Sequence, residues 1–197
     1  ARHLVPTHLD LDHAGGILDF PDAQVHTLEP EFHAAMNAKS FFKTQRYKSC
    51  QWTKETKWQI HRENYGEKWF GFDAVREIPG LPPEILIIPL FGHTAGHFGV
   101  AIQTKEGWIL HAGDAFYDHR ELELTGSPHF AWKLFQNAVH NDVRLALKNQ
   151  KRLADLANSE QGNVKIICSH DTQEFHNCTQ GHTCKTHPTT DSLSTFE

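Results

Sequence analysis

The sequence contains no long apolar segment. Of its 197 residues 39% are hydrophobic and 22% are charged, and no apolar run approaches the roughly 18 residues of a membrane-spanning helix. The sequence also shows no signal-peptide pattern of positive charge, apolar core and small-residue cleavage site. These absences and the ordinary globular composition favour one domain over residues 1–197, with cytoplasmic residence as the default.

Clustered basic residues and paired cysteines are missing as well. The net charge is −5 and the Lys and Arg residues are scattered, whereas nucleic-acid channels need clustered basic residues. We therefore expect a small-molecule substrate, no nucleic-acid or membrane partner, and we leave a homo-oligomer open. The four cysteines form no C-x-x-C pair. Near the C-terminus, sulfur and imidazole donors could hold a separate zinc: His176, Cys178, His182, Cys184 and His187. Incidental histidines or a Cys178–Cys184 disulfide are the favoured alternatives, because the spacing fits no standard finger.

Histidine, in contrast, is abundant. The chain has 16 histidines, and two of them fall with two aspartates in the six residues from His8 to His13. Imidazole nitrogen and carboxylate oxygen suit zinc, iron or manganese. Alternation at His8, Asp10 and Asp12 would place three donors on one side of an extended loop, with His13 turned towards a second ion. The segment predicts a loop that serves two metal ions; a polar loop before a helix is the alternative.

This segment resembles the first motif of the metallo-β-lactamase superfamily of dinuclear hydrolases, His-x-His-x-Asp-His followed by small residues. Asp10 stands where most members have a second histidine, which implies a harder, more anionic metal shell. Three later segments resemble the other motifs of the family: Gly92 to His97 with Ala95 in place of the usual proline, His111 to Asp114, and Ser169 to Asp171. The resemblance implies an α/β (α+β) fold, an αββα four-layer sandwich with helices outside two facing sheets.

The resemblance also implies a set of metal ligands. One ion would be bound by His8, Asp10 and His93, the other by Asp12, His13 and His170, and Asp114 would be shared because a carboxylate has two oxygens. Two divalent ions, zinc first and iron or manganese as alternatives, would lower the pKa of a shared water and give a bridging hydroxide. His97 is expected to brace its loop through a hydrogen bond.

Family members normally have two or more strands before the first motif. We therefore expect this chain to be the C-terminal part of a longer protein and its sandwich to lack the N-terminal strands. Residues 41–72 form an aromatic-rich insert without a clean period, predicted as helical with its aromatics packed on the body, and also as a cover over the metal site. Other patterns predict strands at 23–28, 84–90, 99–103, 107–110 and 164–168, a helix from 29 to about 43, and one or two helices over 129–158. The strands at 99–103 and 107–110 are predicted to form a hairpin that turns at Lys105 and Glu106.

The substrate prediction depends on Tyr117, three residues after Asp114. N-acyl homoserine lactone lactonases have a tyrosine at this place whose phenol points at the substrate carbonyl; a tyrosine that only packs in the loop is the alternative. Asp12 could orient the hydroxide and pass a proton to the leaving group. With the aromatic insert and no basic cluster, a lactone or similar neutral ester with an apolar tail is the expected substrate.

Other functions remain open on the same residues. A phosphotriesterase or a thioester hydrolase could use the same metals. The acidic residue at Asp10 is also similar to the carboxylate of flavo-diiron oxidoreductases, although these need a flavin domain that is not present in these residues. A non-catalytic metal-binding module is the last alternative, and it has little use for a shared carboxylate.

Asp10 gives the first testable prediction. Its charge should make the first metal position tolerant of iron or manganese, so Asp10→His should shift the preference towards zinc. The measurement is metal content, and metal-dependent rate, after reconstitution of both proteins with each metal. Identical preferences in the two proteins would contradict the hard-ligand argument.

Overall fold

A computed structural model describes residues 1–62, 66–123 and 130–179. The smaller of its two sheets contains three parallel strands in the order β1-β2-β3. The strands are β1 (His3–Leu4), β2 (Gln24–Leu28) and β3 (Lys57–His61). Because parallel neighbours need a crossover connection, the chain between these strands passes over the outer face of the sheet and supplies helices there.

The larger sheet contains six strands in the order β4-β5-β6-β7-β8-β9. They are β4 (Glu67–Trp69), β5 (Phe72–Glu77), β6 (Ile85–Pro89), β7 (Phe98–Thr104), β8 (Gly107–His111) and β9 (Val164–Ile167). All neighbours are antiparallel except β8 and β9, which run parallel. The predicted hairpin at Lys105 and Glu106 is confirmed, since Thr104 pairs with Gly107.

Six α-helices accompany the sheets in the described residues. They are α1 (Leu11–Ala14), α2 (Glu29–Met36), α3 (Phe41–Arg46), α4 (Phe130–Val139), α5 (Val143–Ser159) and α6 (Thr172–Thr179). Short 3-10 turns span Ile17–Asp19, Ser49–Gln51 and His119–Leu122. The pattern over 129–158 thus forms two helices, as one of its two predicted forms requires.

The cores show how the layers are stacked. Leu153 and Leu156 of α5 are buried in a cluster with residues of the larger sheet such as Leu110. Leu28 of the smaller sheet packs with Ile87 and Phe98 of the larger sheet, so the two sheets face each other. On the outer side of the smaller sheet, α1 and α2 contribute Ala14 and Ala35 to a third cluster with Val25. The order helix, sheet, sheet, helix agrees with the predicted four-layer sandwich.

Several local predictions are wrong. Residues from Leu11 to Ala14 form a helical turn, because Ala14 N–H donates to the Asp10 carbonyl at 2.9 Å, so the first motif is not extended throughout. The predicted helix from Glu29 to about Lys43 ends at Met36, and a second helix begins at Phe41.

The insert at 41–72 is also less helical than predicted. It supplies β3 to the smaller sheet and β4 to the larger sheet. Its aromatics Tyr47, Trp52, Trp69 and Phe72 are buried, as predicted, whereas Phe41, Phe42 and Phe70 are exposed, so the prediction holds for part of the insert. The Cys184, His182 and disulfide predictions for the tail lie outside the described residues.

The boundaries of the domain stay a prediction. Among the described residues β1 pairs only with β2, and the smaller sheet has three strands. The described part of the chain contains no helix that is long and apolar enough to cross a membrane.

Candidate metal centre

Two groups of potential metal ligands lie beside each other. One contains His8, His93 and Asp114, and the other contains Asp12, His13 and His170. Within each group the ligand atoms lie within 4.8 Å of one another. Asp10 adjoins the first group, because its Oδ2 is 3.2 Å from His93 Nε2 and 3.6 Å from His8 Nε2. The fold therefore brings together all seven side chains that the sequence singled out.

Asp114 lies between the two groups. Its Oδ1 is 3.3 Å from His13 Nε2, and its Oδ2 is 3.2 Å from His170 Nε2 and 3.7 Å from His93 Nε2. The carboxylate thus faces histidines of both groups. A ligand shared by two ions needs this placement.

The four motifs meet because each follows the end of a strand. His8 follows β1, His93 follows β6, Asp114 follows β8 and His170 follows β9. The parallel strands β8 and β9 end side by side, and Ser169 N–H donates to the Gly113 carbonyl at 3.0 Å across the two loops. Side chains from distant parts of the sequence therefore meet at one edge of the sandwich.

Some potential metal-ligating atoms of the site are buried without a hydrogen-bond partner, which indicates whether the site suits a cation. His8 is fully buried; its Nδ1 contacts Thr7 Oγ1 at 2.9 Å, whereas its Nε2 has no hydrogen-bond partner among the described residues. Asp10 Oδ1 is also buried and also has no hydrogen-bond partner among the described residues. Leaving such groups unsatisfied costs about 1 to 3 kcal/mol each. A cation between these atoms would remove the cost, so the residues present fit divalent metals.

The electrostatics keep the first group in a ligating form. Burial lowers the pKa of His8 well below its ordinary value and that of His93 to about 4, so both imidazoles are neutral. Burial opposes the charge of Asp114, but the hydrogen bond with His13 and the neighbouring His170 outweigh it and hold the pKa of that carboxyl well below its usual range. Neutral imidazoles and an ionised carboxylate are the forms that bind zinc.

Asp10 behaves differently from Asp114. Burial raises the pKa of Asp10 to about 7, and the nearby guanidinium of Arg46 acts in the opposite direction. Arg46 lies in the insert, and its Nε is 3.3 Å from Asp10 Oδ2. The insert thus reaches the candidate metal site through the cation of Arg46, and its role as a cover stays a prediction.

Glu31 connects the first two motifs, and no sequence pattern indicated it. This residue of α2 is fully buried, and its carboxylate accepts hydrogen bonds from Leu9 N–H at 2.9 Å, Gly96 N–H at 2.9 Å and Thr94 Oγ1 at 2.6 Å. A Cβ on Gly96 would lie 2.3 Å from the Glu31 backbone nitrogen, so only glycine permits this approach. Burial raises the pKa of Glu31, and the three donors act against that shift.

His97 braces its loop, as predicted. Asp114 N–H donates to His97 Nε2 at 2.9 Å, so the other ring nitrogen carries the proton and Nδ1 donates to the Leu90 carbonyl at 2.9 Å. The ring is fully buried, which lowers its pKa to about 3. His97 therefore ties the second motif to the backbone of Asp114, and both its nitrogens are already occupied.

His119 and Asp171 form a second positioning pair that the sequence did not indicate. His119 Nδ1 lies 2.7 Å from Asp171 Oδ2, and Asp171 Oδ1 accepts from Gln173 N–H at 2.8 Å at the start of α6. Because Asp171 follows His170 directly, these contacts hold the last ligand loop. The position of Asp171 directly after the predicted ligand His170 was the one sequence signal that could have indicated its role.

Tyr117 lies against both ligand groups. Its phenol oxygen is 3.2 Å from His93 Nδ1, and its ring stacks on His170 with centroids 5.8 Å apart. Burial raises the pKa of the phenol, which keeps it protonated and able to donate. Phe135 of α4 covers the ring at 5.5 Å. Whether the phenol serves the substrate or only packs stays a prediction.

The sequence has relatives among curated proteins. Two proteins named probable metallo-hydrolases, from Mycobacterium bovis and Mycobacterium tuberculosis, are each 34% identical over 170 residues. The match covers 86% of this chain and 54% of each relative, so the chain spans about half the length of the curated relatives it matches. No family model matches the sequence.

Solved structures show the same architecture. An N-acyl homoserine lactone hydrolase, with N-hexanoyl-L-homoserine bound at its catalytic metal centre, superposes with a TM-score of 0.63 at 22% identity, over 90% of this chain and 58% of that one. A probable metal-dependent hydrolase from Staphylococcus aureus gives 0.62 at 17% identity over 86% and 54% of the two chains. The chain has the metallo-β-lactamase fold. The resemblance predicted from the motifs is confirmed at the level of the fold.

Within this metallo-β-lactamase fold, Glu31 gives a prediction on stability. Glu31→Gln keeps the shape but sets an amide against three donors, and hydrogen bonds to a charged group are worth about 1.5 to 3 kcal/mol each. We expect the free energy of unfolding in urea to fall by about 2 kcal/mol or more. Glu29→Gln, half-exposed at the start of the same helix, is the matched control and should change little, because its ion pairs with His33 and Arg62 are long and solvent-exposed. Equal stability of the two variants would contradict the role of Glu31.

Proposed function

We propose that the protein is a dinuclear metal-dependent hydrolase acting on a lactone or a similar neutral ester. The observation that carries the proposal is the position of Asp114 between two separate ligand groups. A structural site has little use for such a shared carboxylate. The curated relatives named metallo-hydrolases support a hydrolase at the coarser level.

The chain offers nitrogen and oxygen ligands to both ions. His8, Asp10 and His93 would bind the first ion, Asp12, His13 and His170 the second, and Asp114 both. This donor set suits zinc, with iron or manganese as alternatives because of the carboxylates. When bound, two such ions supply a hydroxide nucleophile near neutral pH and polarise a carbonyl oxygen.

Two side chains would act on protons and charge in the reaction. The side chain of Asp12 is 60% exposed, and its Oδ2 faces the second group, 3.5 Å from His170 Nε2. The other carboxylate oxygen would be free to take a proton and pass it to the leaving group. Tyr117 would donate its phenolic proton to the substrate oxygen that gains negative charge. Both roles use atoms that lie at the two ligand groups.

The surroundings fit a substrate with an apolar part. Phe135 packs on Tyr117, and Phe41 and Phe42 are 71% and 84% exposed on α3, the helix whose Arg46 contacts Asp10. Binding clefts commonly have apolar walls around a few polar groups. A lactone with an apolar tail matches this surface, and among the solved structures of similar fold is a lactone hydrolase.

A panel of substrates tests the proposal, with Asp114→Ala as the variant expected to lack metal. Lactones, aryl phosphotriesters and acyl thioesters are compared on the full-length protein, with bound metal measured on the same samples. Asp114→Ala should lose both ions and nearly all activity, whereas Asp155→Ala on the exposed side of α5 should keep both. A variant that lacks Asp114 but keeps two tightly bound ions and full turnover would exclude the shared role. A preference for phosphotriesters or thioesters would leave the proposed metal site intact but contradict the proposed lactone or ester substrate.

Tyr117→Phe tests the role of the phenol, because it keeps the ring and removes only the hydroxyl. Losing one donor to a developing oxyanion typically lowers turnover about a hundredfold to a thousandfold. We expect lactone hydrolysis to fall mostly in kcat, with KM and metal content nearly unchanged. A loss of bound metal would instead mean that the phenol holds His93, and unchanged turnover would return Tyr117 to packing.

A further inference from the structure

Arg46 is fixed beside the first metal position by backbone groups of two separate segments. One terminal nitrogen donates to the His93 carbonyl at 2.9 Å, and the other donates to the carbonyl of Val139 at the end of α4. The remaining Nε lies 3.3 Å from Asp10 Oδ2. The side chain is 20% exposed and that of Asp10 is 13% exposed. These contacts hold the guanidinium in one orientation, with its Nε towards Asp10.

The charge of this pair differs from that of an ordinary carboxylate ligand. A buried carboxylate without a partner is costly, whereas a buried carboxylate with a guanidinium is neutral as a pair. An unpaired Asp10 would add one negative charge to the first ligand group, and the guanidinium of Arg46 at 3.3 Å offsets that charge. In the described part of the chain, no other Lys or Arg forms an ion pair with Asp10.

We propose that Arg46 is a positioning residue that forms one unit with Asp10, holding this carboxylate towards the first ion and cancelling its extra charge. The inference rests on the proposed function, because it concerns Asp10 as a ligand. Either member alone is unfavourable: the carboxylate loses its partner without Arg46, and the cation faces a divalent ion without Asp10. The two residues can therefore be exchanged only together.

A double-mutant cycle on the full-length protein tests this unit. The variants are Arg46→Gln, Asp10→His and both together, and Lys43→Gln on the exposed part of α3 is the control. Affinity for zinc is measured by competition with a chelator, alongside the thermal midpoint of the metal-free protein. Arg46→Gln should bind the first zinc about tenfold to a hundredfold more weakly, as loss of a partner of a metal ligand typically does. Asp10→His should also bind zinc more weakly than wild type, because Arg46 loses its carboxylate, but iron and manganese should weaken more, so the preference still shifts towards zinc. The double variant should regain most of that loss.

The outcomes separate the inference from the proposed function. Additive losses in the double variant, or unchanged zinc affinity in Arg46→Gln, would overturn the coupling while the wild-type protein still binds two ions. A wild-type protein that binds no zinc would overturn the proposed function itself. If Arg46→Gln fails to fold, Arg46→Lys, which keeps the charge, replaces it. Adding Asp10→His to this variant should then lower zinc affinity further, because a cation without its carboxylate would face the ion, and restored affinity would refute the unit.

Discussion

The metal centre depends on one buried carboxylate that is not expected to touch a metal. Glu31 accepts hydrogen bonds from Leu9 N–H in the first motif and from Thr94 and Gly96 in the second. The loops that carry Asp10 and His93, which are 83 residues apart in the sequence, are therefore kept at a fixed distance. Because the carboxylate is fully buried, it has no water to replace these donors. The helix α2 thus fixes the separation of ligands that it does not supply.

Strand order and burial explain the rest of the site. Four strand ends deliver the four motifs to one edge, while the clusters around Leu110 and Phe98 hold the sheets in place. The apolar packing offsets the cost of gathering imidazoles and carboxylates whose buried atoms lack partners among the described residues. An ion that bound these residues only in the folded chain would stabilise the fold.

The contacts around the ligands divide into two kinds. His97 and the pair of His119 with Asp171 bind backbone groups and fix loop shape, because their polar atoms are already used within the protein. Arg46 and Tyr117 contact ligand side chains directly, at Asp10 and His93, so they can affect the charge and proton positions at the site. The first kind should govern stability, and the second kind binding and rate.

The sequence by itself determined the ligand types, their grouping into four motifs, the strands at β2, β6 and β9, and the hairpin between β7 and β8. These features are local, since they depend on side-chain chemistry and on a short repeat of apolar residues. Only the tertiary structure decided that the insert supplies β3 and β4 and that Glu31 and Arg46 reach the ligands. The contacts of Glu31 and Arg46 join residues 22 to 93 positions apart that share no periodic pattern, and sequence periodicity reports only local backbone geometry.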